Sequence, residues 1–118
     1  MQMNYFVVGT NDKDAATRFY DSFFKEFGIN QVKSNDRMTY WQSDSFAFAV
    51  ATPFDEQPAT HGNGTMVGFA LGSVDAVKRL HSKVLELGGR CEGEPGERGP
   101  MFSAYVRDLD NNKLCFSA

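Results

Sequence analysis

Cysteine and net charge are both in short supply in this chain, and each shortage removes a class of function. Two cysteines among 118 residues, with no CxxC pair, supply neither a disulfide framework nor the thiolate set of a structural zinc site. Cys91 and Cys115 therefore read as free thiols of a reducing compartment. Twelve Lys and Arg against fifteen Asp and Glu leave a net charge of −3, and the two signs are interspersed. Without a basic stripe to neutralise phosphates or anionic lipid, nucleic acid and membrane surfaces are set aside as partners. Long apolar runs are missing too, since none approaches the roughly 20 residues that span a bilayer. Met1-Gln2-Met3-Asn4 has neither the charge nor the apolar stretch of a signal peptide, so a cytoplasmic location is the expectation.

What is present is enough to build one core. The apolar share of 42%, the charged share of 23% and the 11 phenylalanines fit a single compact domain rather than disorder or a coiled coil. That domain spans residues 1–118 and reads as two similar halves: a first module over about 3–52, a linker over 53–64 rich in Pro and Gly, and a second module over about 65–118.

Each half has the order strand, helix, strand, strand, strand. In the first, a strand from Tyr5 to Val8 precedes a helix over about 12–27, where Ala15, Phe19, Phe23 and Phe27 recur every four residues beside Ala16, Tyr20 and Phe24. Asn11 or Asp12 caps its start and Gly28 stops it. Strands follow near Ile29 to Lys33, Met38 to Gln42 and Phe46 to Ala51. The second half repeats this from Thr65, with a strand to about Leu71 and a helix capped by Ser73 that ends at Gly88-Gly89. Its last strands are expected near Arg90 to Glu92, Phe102 to Arg107 and Lys113 to Ser117. Sliding the chain on itself by 61 positions matches Asp14 with Asp75, Ala15 with Ala76, Arg18 with Arg79 and Gly28 with Gly89, without a gap.

Period-two alternation assigns the strand faces. Phe6, Val8, Phe48, Val50, Val67, Phe69, Leu114 and Phe116 fall on one parity and are expected beneath the helices. The opposite parity carries mostly Gly, Ala, Ser, Cys and Val, so the expected α+β fold is a curved mixed sheet with helices on one face and an open groove on the other. Such a groove needs an occupant. Tyr40, Gln42, Tyr105 and Arg107 share a parity that can line it. Arg107 either meets a ligand carboxylate or phosphate there, or bonds to Asp108, Asp110 or a neighbouring strand. Trp41 belongs to the other face, in the core.

The paired modules, Asn11-Asp12 followed by Arg18-Phe19-Tyr20, the Gly88-Gly89 stop and the closing Arg107-Asp108-Leu109-Asp110-Asn111-Asn112-Lys113-Leu114 together resemble the vicinal oxygen chelate superfamily. That group includes glyoxalase I, bleomycin and fosfomycin resistance proteins and extradiol dioxygenases. The closing segment departs from the usual Asp-Pro-Asp-Gly-Asn by carrying Leu109 and Asn111, and Asn tolerates the left-handed geometry that Gly takes there. The resemblance implies a divalent metal held by His, Gln or Glu from the first, fourth, fifth and last strands. Those positions fall at Tyr5, Ala47, Met66 and Cys115, none a standard ligand of the family, so the usual metal site is expected to be lost and no metal or other cofactor is assigned.

Other chemistry-bearing residues have plainer readings beside their functional ones. His61, in the linker, is either a general base or unusual ligand over the groove or an exposed loop histidine. His81 matches Tyr20 and is expected at the edge of the helix–sheet contact. Cys91 and Cys115 read as small buried packers rather than nucleophiles. The run from Glu92 to Pro100 lacks the Lys-Ser/Thr ending of a phosphate cradle and reads as a mobile acidic loop at the groove mouth. The leading expectation is a small-molecule binder whose groove is lined by Tyr5, Tyr40, Ala47, His61, Met66, Tyr105, Arg107 and Cys115. The alternatives are a glyoxalase-like lyase, isomerase or dioxygenase with a rearranged metal site recruiting His61 or Cys115, and a dimeric interaction domain. The resemblance also implies a homodimer, which would cover exposed edge strands.

Overall fold

A computed structural model describes all residues, 1–118. The chain forms two compact units, residues 1–60 and 61–118. Strand pairing closes within each unit, so the eight strands make two sheets of four rather than one hydrogen-bonded sheet.

The first unit runs β1 (Tyr5–Gly9), α1 (Lys13–Lys25), β2 (Asn30–Ser34), β3 (Met38–Gln42) and β4 (Ala47–Ala51). Its sheet order is β1-β4-β3-β2, with β1 parallel to β4 and the other pairs antiparallel. Helix α1 starts where Asp12 Oδ1 accepts from the Ala15 amide at 3.0 Å, satisfying a donor that the helix itself leaves unpaired. The helix buries Ala16, Phe19, Tyr20, Phe23 and Phe24. Register puts Trp41 opposite Phe48 and Thr39 opposite Val50, so these four share the helix-facing side. Tyr20 meets Phe48 at 4.8 Å and Trp41 at 5.8 Å between ring centroids, within the range where aromatic pairs attract beyond their area. Trp41 is fully buried, and its indole N–H donates to Asp21 Oδ1 at 2.9 Å, which removes the cost of burying that donor.

The second unit runs β5 (Val67–Ala70), α2 (Val74–Glu86), β6 (Arg90–Arg98), β7 (Met101–Arg107) and β8 (Lys113–Ser117), in the order β5-β8-β7-β6. Ser73 Oγ caps α2 by accepting from the Ala76 amide at 3.1 Å. The topology repeats, but the filling differs: Val77, Leu80, Val84, Val106 and Leu114 are buried with Phe116 as the one large ring among them. Each such side chain contributes roughly 1.5–3 kcal/mol on burial. The β7–β8 turn holds Asn111 at φ 70°, and Asp108 Oδ1 accepts from the Asp110 and Asn112 amides at 2.9 Å each. The turn thus keeps its shape without the usual glycine.

One expectation is corrected. The run from Glu92 onward is not a loop: β6 continues through Pro95 to Arg98, paired to β7. Proline has no N–H for a ladder, but β6 is an edge strand, where no second neighbour asks for one. Two register shifts, between Cys91 and Gly93 and between Gly93 and Gly96, absorb the irregular residues as bulges.

Candidate functional site

Each sheet turns one face to its helix and leaves the other without one. In the first unit, register pairs Tyr5 and Gln42 with Ala47, Val7 and Tyr40 with Ala49, and Gly9 and Met38 with Ala51. Alanines occupy every position of β4 on the helix-free side; Ala47 is half-buried, while Ala49 and Ala51 are covered by their neighbours. Tyr5 and Tyr40 flank Ala47 and Ala49 from β1 and β3. Tyr5 is exposed, while the Tyr40 hydroxyl donates to Met38 Sδ at 3.4 Å.

In the second unit Cys115 lies between Gly68 and Tyr105, and Ser117 between Ala70 and Ser103. The Tyr105 ring has Arg98 on it at 5.1 Å and Lys113 at 5.4 Å, both within cation–π reach. Arg107 donates from Nη2 to Glu92 Oε1 at 3.0 Å and from Nη1 to the Asn111 carbonyl at 3.0 Å. Its partner is therefore the neighbouring strand, one of the two readings the sequence left open. The Arg107 hydrogen bond, against some desolvation, holds the Glu92 carboxyl below its ordinary pKa. Half-buried His61 is not a free loop histidine, since its Nδ1 lies 3.4 Å from Asn111 Nδ2. Arg90 also reaches Asn111 Oδ1, so Asn111 gathers His61, Arg90 and Arg107 around one turn.

The positions at which the resemblance expects metal ligands do not supply them. Ala47 has no donor atom, Tyr5 offers a phenol, Met66 a neutral thioether and half-buried Cys115 one thiol. A divalent ion of the His, Gln and Glu type finds no fitting set there. Met66 also stands just before β5, and the residue paired with Cys115 is Gly68, which the sequence reading did not single out. Its signal was the parity itself: Gly68 shares the alternate face with Met66.

A second missed feature lies on the helix side of the second sheet. His81, on the buried face of α2, places Nε2 at 3.3 Å from Cys91 Sγ, and Cys91 Sγ is 3.3 Å from Glu94 Oε1. Cys91 is exposed rather than a buried packer, and both cysteines are free. Partial desolvation, the hydrogen bond to Glu94 and the charges of Glu94 and Glu92 push the Cys91 thiol above its ordinary pKa, against a smaller opposing effect of the Gly93 backbone.

Paired strand-helix-three-strand units with helix-free sheet faces define a glyoxalase-type fold. The chain belongs to the Glyoxalase/Bleomycin resistance protein/Dioxygenase superfamily, whose family model matches residues 2–116. A glyoxalase/bleomycin resistance protein from Albidiferax ferrireducens T118 is 36% identical, with 98% of this chain and 96% of that chain covered and a TM-score of 0.91. Two more distant structures share the fold alone. One is a lactoylglutathione lyase from Agrobacterium tumefaciens, 16% identical over 98% of this chain and 91% of that one, TM-score 0.75. The other is a glyoxalase/bleomycin resistance protein/dioxygenase family enzyme from Burkholderia phytofirmans PsJN, 16% identical over 99% and 98%, TM-score 0.82. No curated protein matches the chain. No helix is long and apolar enough to cross a membrane.

Proposed function

We propose that this chain binds a small organic ligand on its helix-free sheet surface without the divalent ion that metal-dependent members of its superfamily use. The observation that carries this reading is Ala47, which stands beside Tyr5 in register at a position where a ligand-bearing carboxylate or amide is expected and only a methyl group is found. The small residue Ala47 beside Tyr5 in one unit, and Gly68 and Cys115 beside Tyr105 and Arg107 in the other, suit flat or aromatic groups with a polar edge. In this reading His61, held against Asn111, and Met66, just before β5, border the second of these surfaces. The binder acts as a homodimer in the cytoplasm, where both free thiols stay reduced.

Two measurements test the reading together. Metal analysis of untagged Cys91→Ser protein is expected to find no stoichiometric nickel, zinc, manganese or iron, and a full equivalent of any of them would overturn the loss of the family's metal. A thermal-shift series of thiol conjugates and aromatic antibiotics is expected to raise the melting temperature with at least one class. Saturation at a hundred times the dissociation constant adds about 2.7 kcal/mol. A flat response across both classes rejects the binder.

A further inference from the structure

The helix-facing edge of the second sheet carries a donor set that ligand binding on the other face does not use. His81 Nε2, Cys91 Sγ and a Glu94 carboxylate oxygen lie within 4.8 Å of one another. Their convergence depends on an irregularity of β6. Cys91 pairs with Val106 but Gly93 pairs with Tyr105, so one extra residue is inserted between them. Residues three apart in an unbroken strand point to opposite faces. The inserted residue reverses that parity and returns Glu94 to the side of Cys91, which is also the side packed by α2. There His81, 4% exposed, presents its ring from the body of the helix.

We propose that His81, Cys91 and Glu94 form a binding site for a borderline-soft divalent cation, zinc by its chemistry, at the α2–β6 edge of the second unit. An imidazole nitrogen, a thiolate and a carboxylate are the three donor types that zinc takes. Once the thiol has released its proton to solvent, one thiolate and one carboxylate offset the two charges of the ion. Zn–S and Zn–N bonds of about 2.3 and 2.0 Å put neighbouring tetrahedral donors about 3.5 Å apart, and the 3.3 Å separations along His81–Cys91–Glu94 are close to that before any ion enters. The histidine is fixed by packing, while Cys91 and Glu94 are exposed and have room to adjust. That exposure leaves the fourth coordination position to water.

The test is a titration of the whole untagged chain with cobalt(II), whose tetrahedral thiolate complexes absorb strongly in the near ultraviolet and the visible. The expected result is a sulfur-to-cobalt charge-transfer band that saturates at one ion per chain and is displaced by zinc. Cys91→Ser is expected to abolish the band and Glu94→Gln to weaken binding, both with cooperative melts, because both side chains are exposed. Cys115→Ser is expected to keep the band, which separates this site from the family's own metal position. Absence of the band in the unsubstituted chain, its survival in Cys91→Ser, or its loss in Cys115→Ser would overturn the site. Ligand-induced thermal shifts in Cys91→Ser protein report separately on the helix-free face, so neither reading falls with the other.

Discussion

Gly28 and Gly89 occupy equivalent places in the repeat yet meet different demands. After α1 the left-handed residue is Gly28, at φ +68°, and a Cβ there would touch nothing within 4 Å. After α2 the left-handed residue is Gly88, at φ +97°, one position earlier. Gly89 is instead pinned by crowding, because a Cβ would stand 2.5 Å from Val84 Cγ1 and 2.7 Å from the Arg107 carbonyl. Both helices end with the same long closing bond, from the Ile29 amide to the Phe24 carbonyl and from the Gly89 amide to the Val84 carbonyl, which satisfies carbonyls the helix leaves open. Gly28→Ala is expected to cost about 1 kcal/mol, the penalty of a Cβ in left-handed backbone. Gly89→Ala is expected to cost about 3 kcal/mol, at the upper end of overpacking, since a strand carbonyl cannot step aside as a side-chain tip can. Urea denaturation of the two variants checks the ranking; equal midpoints would mean that α2 and β7 yield where they meet. At this scale the sequence shows that a glycine is needed but not why. Likewise, alternation places Trp41 in the core without revealing Asp21 as its hydrogen-bond partner, and it offers Arg107 a neighbouring strand without singling out Glu92.

At the scale of elements, helix starts are the most legible signal in the chain and β6 the least. Ser73 and the Asn11-Asp12 pair are visible as caps because the hydrogen bond is local, donated to the side chain of Ser73 or Asp12 by the amide three residues on. Asp12→Ala and Ser73→Ala are each expected to cost about 1 kcal/mol. Asp14→Asn, in the first turn of α1 but outside the cap, is expected to lose only the dipole contribution of a few tenths of a kcal/mol. Chemical denaturation of the three variants separates the cases, and a loss from Asp14→Asn as large as from Asp12→Ala would assign the effect to charge rather than to the cap. Strand β6 escapes the same reasoning because its pairing is with β7, and Gly93, Pro95, Gly96 and Gly99 are the residues that mark turns. An edge strand needs neither alternation nor an N–H at every position, so its sequence is free to look like a loop. Its register shift also hides the His81–Cys91–Glu94 cluster, since counting by twos from Cys91 puts Glu94 on the wrong face.

For the whole molecule, the repeated order of elements is legible because it rests on helix periodicity and caps, whereas the division of eight strands into two sheets rests on which distant strands pair and leaves no local mark. That division matters for assembly. Each sheet has two edge strands, and an edge offers unpaired N–H and C=O groups to another chain unless it is charged, bulged or covered. Strand β6 is protected in this way, by Pro95 and two bulges. Strand β1 has neither charge nor bulge: Tyr5 and Val7, alternate residues of it, are 57% and 42% exposed, and no charged side chain lies between Met1 and Gly9. A net charge of −3 offers little repulsion to a second copy. The chain is therefore expected to sediment as a homodimer, and Val7→Lys, which places a charge in the middle of this edge, is expected to give a monomer with a cooperative melt. Sedimentation velocity across a range of concentrations reads both outcomes. A monomeric parent chain would reject the dimer, while a dimer indifferent to Val7→Lys would move its interface away from β1.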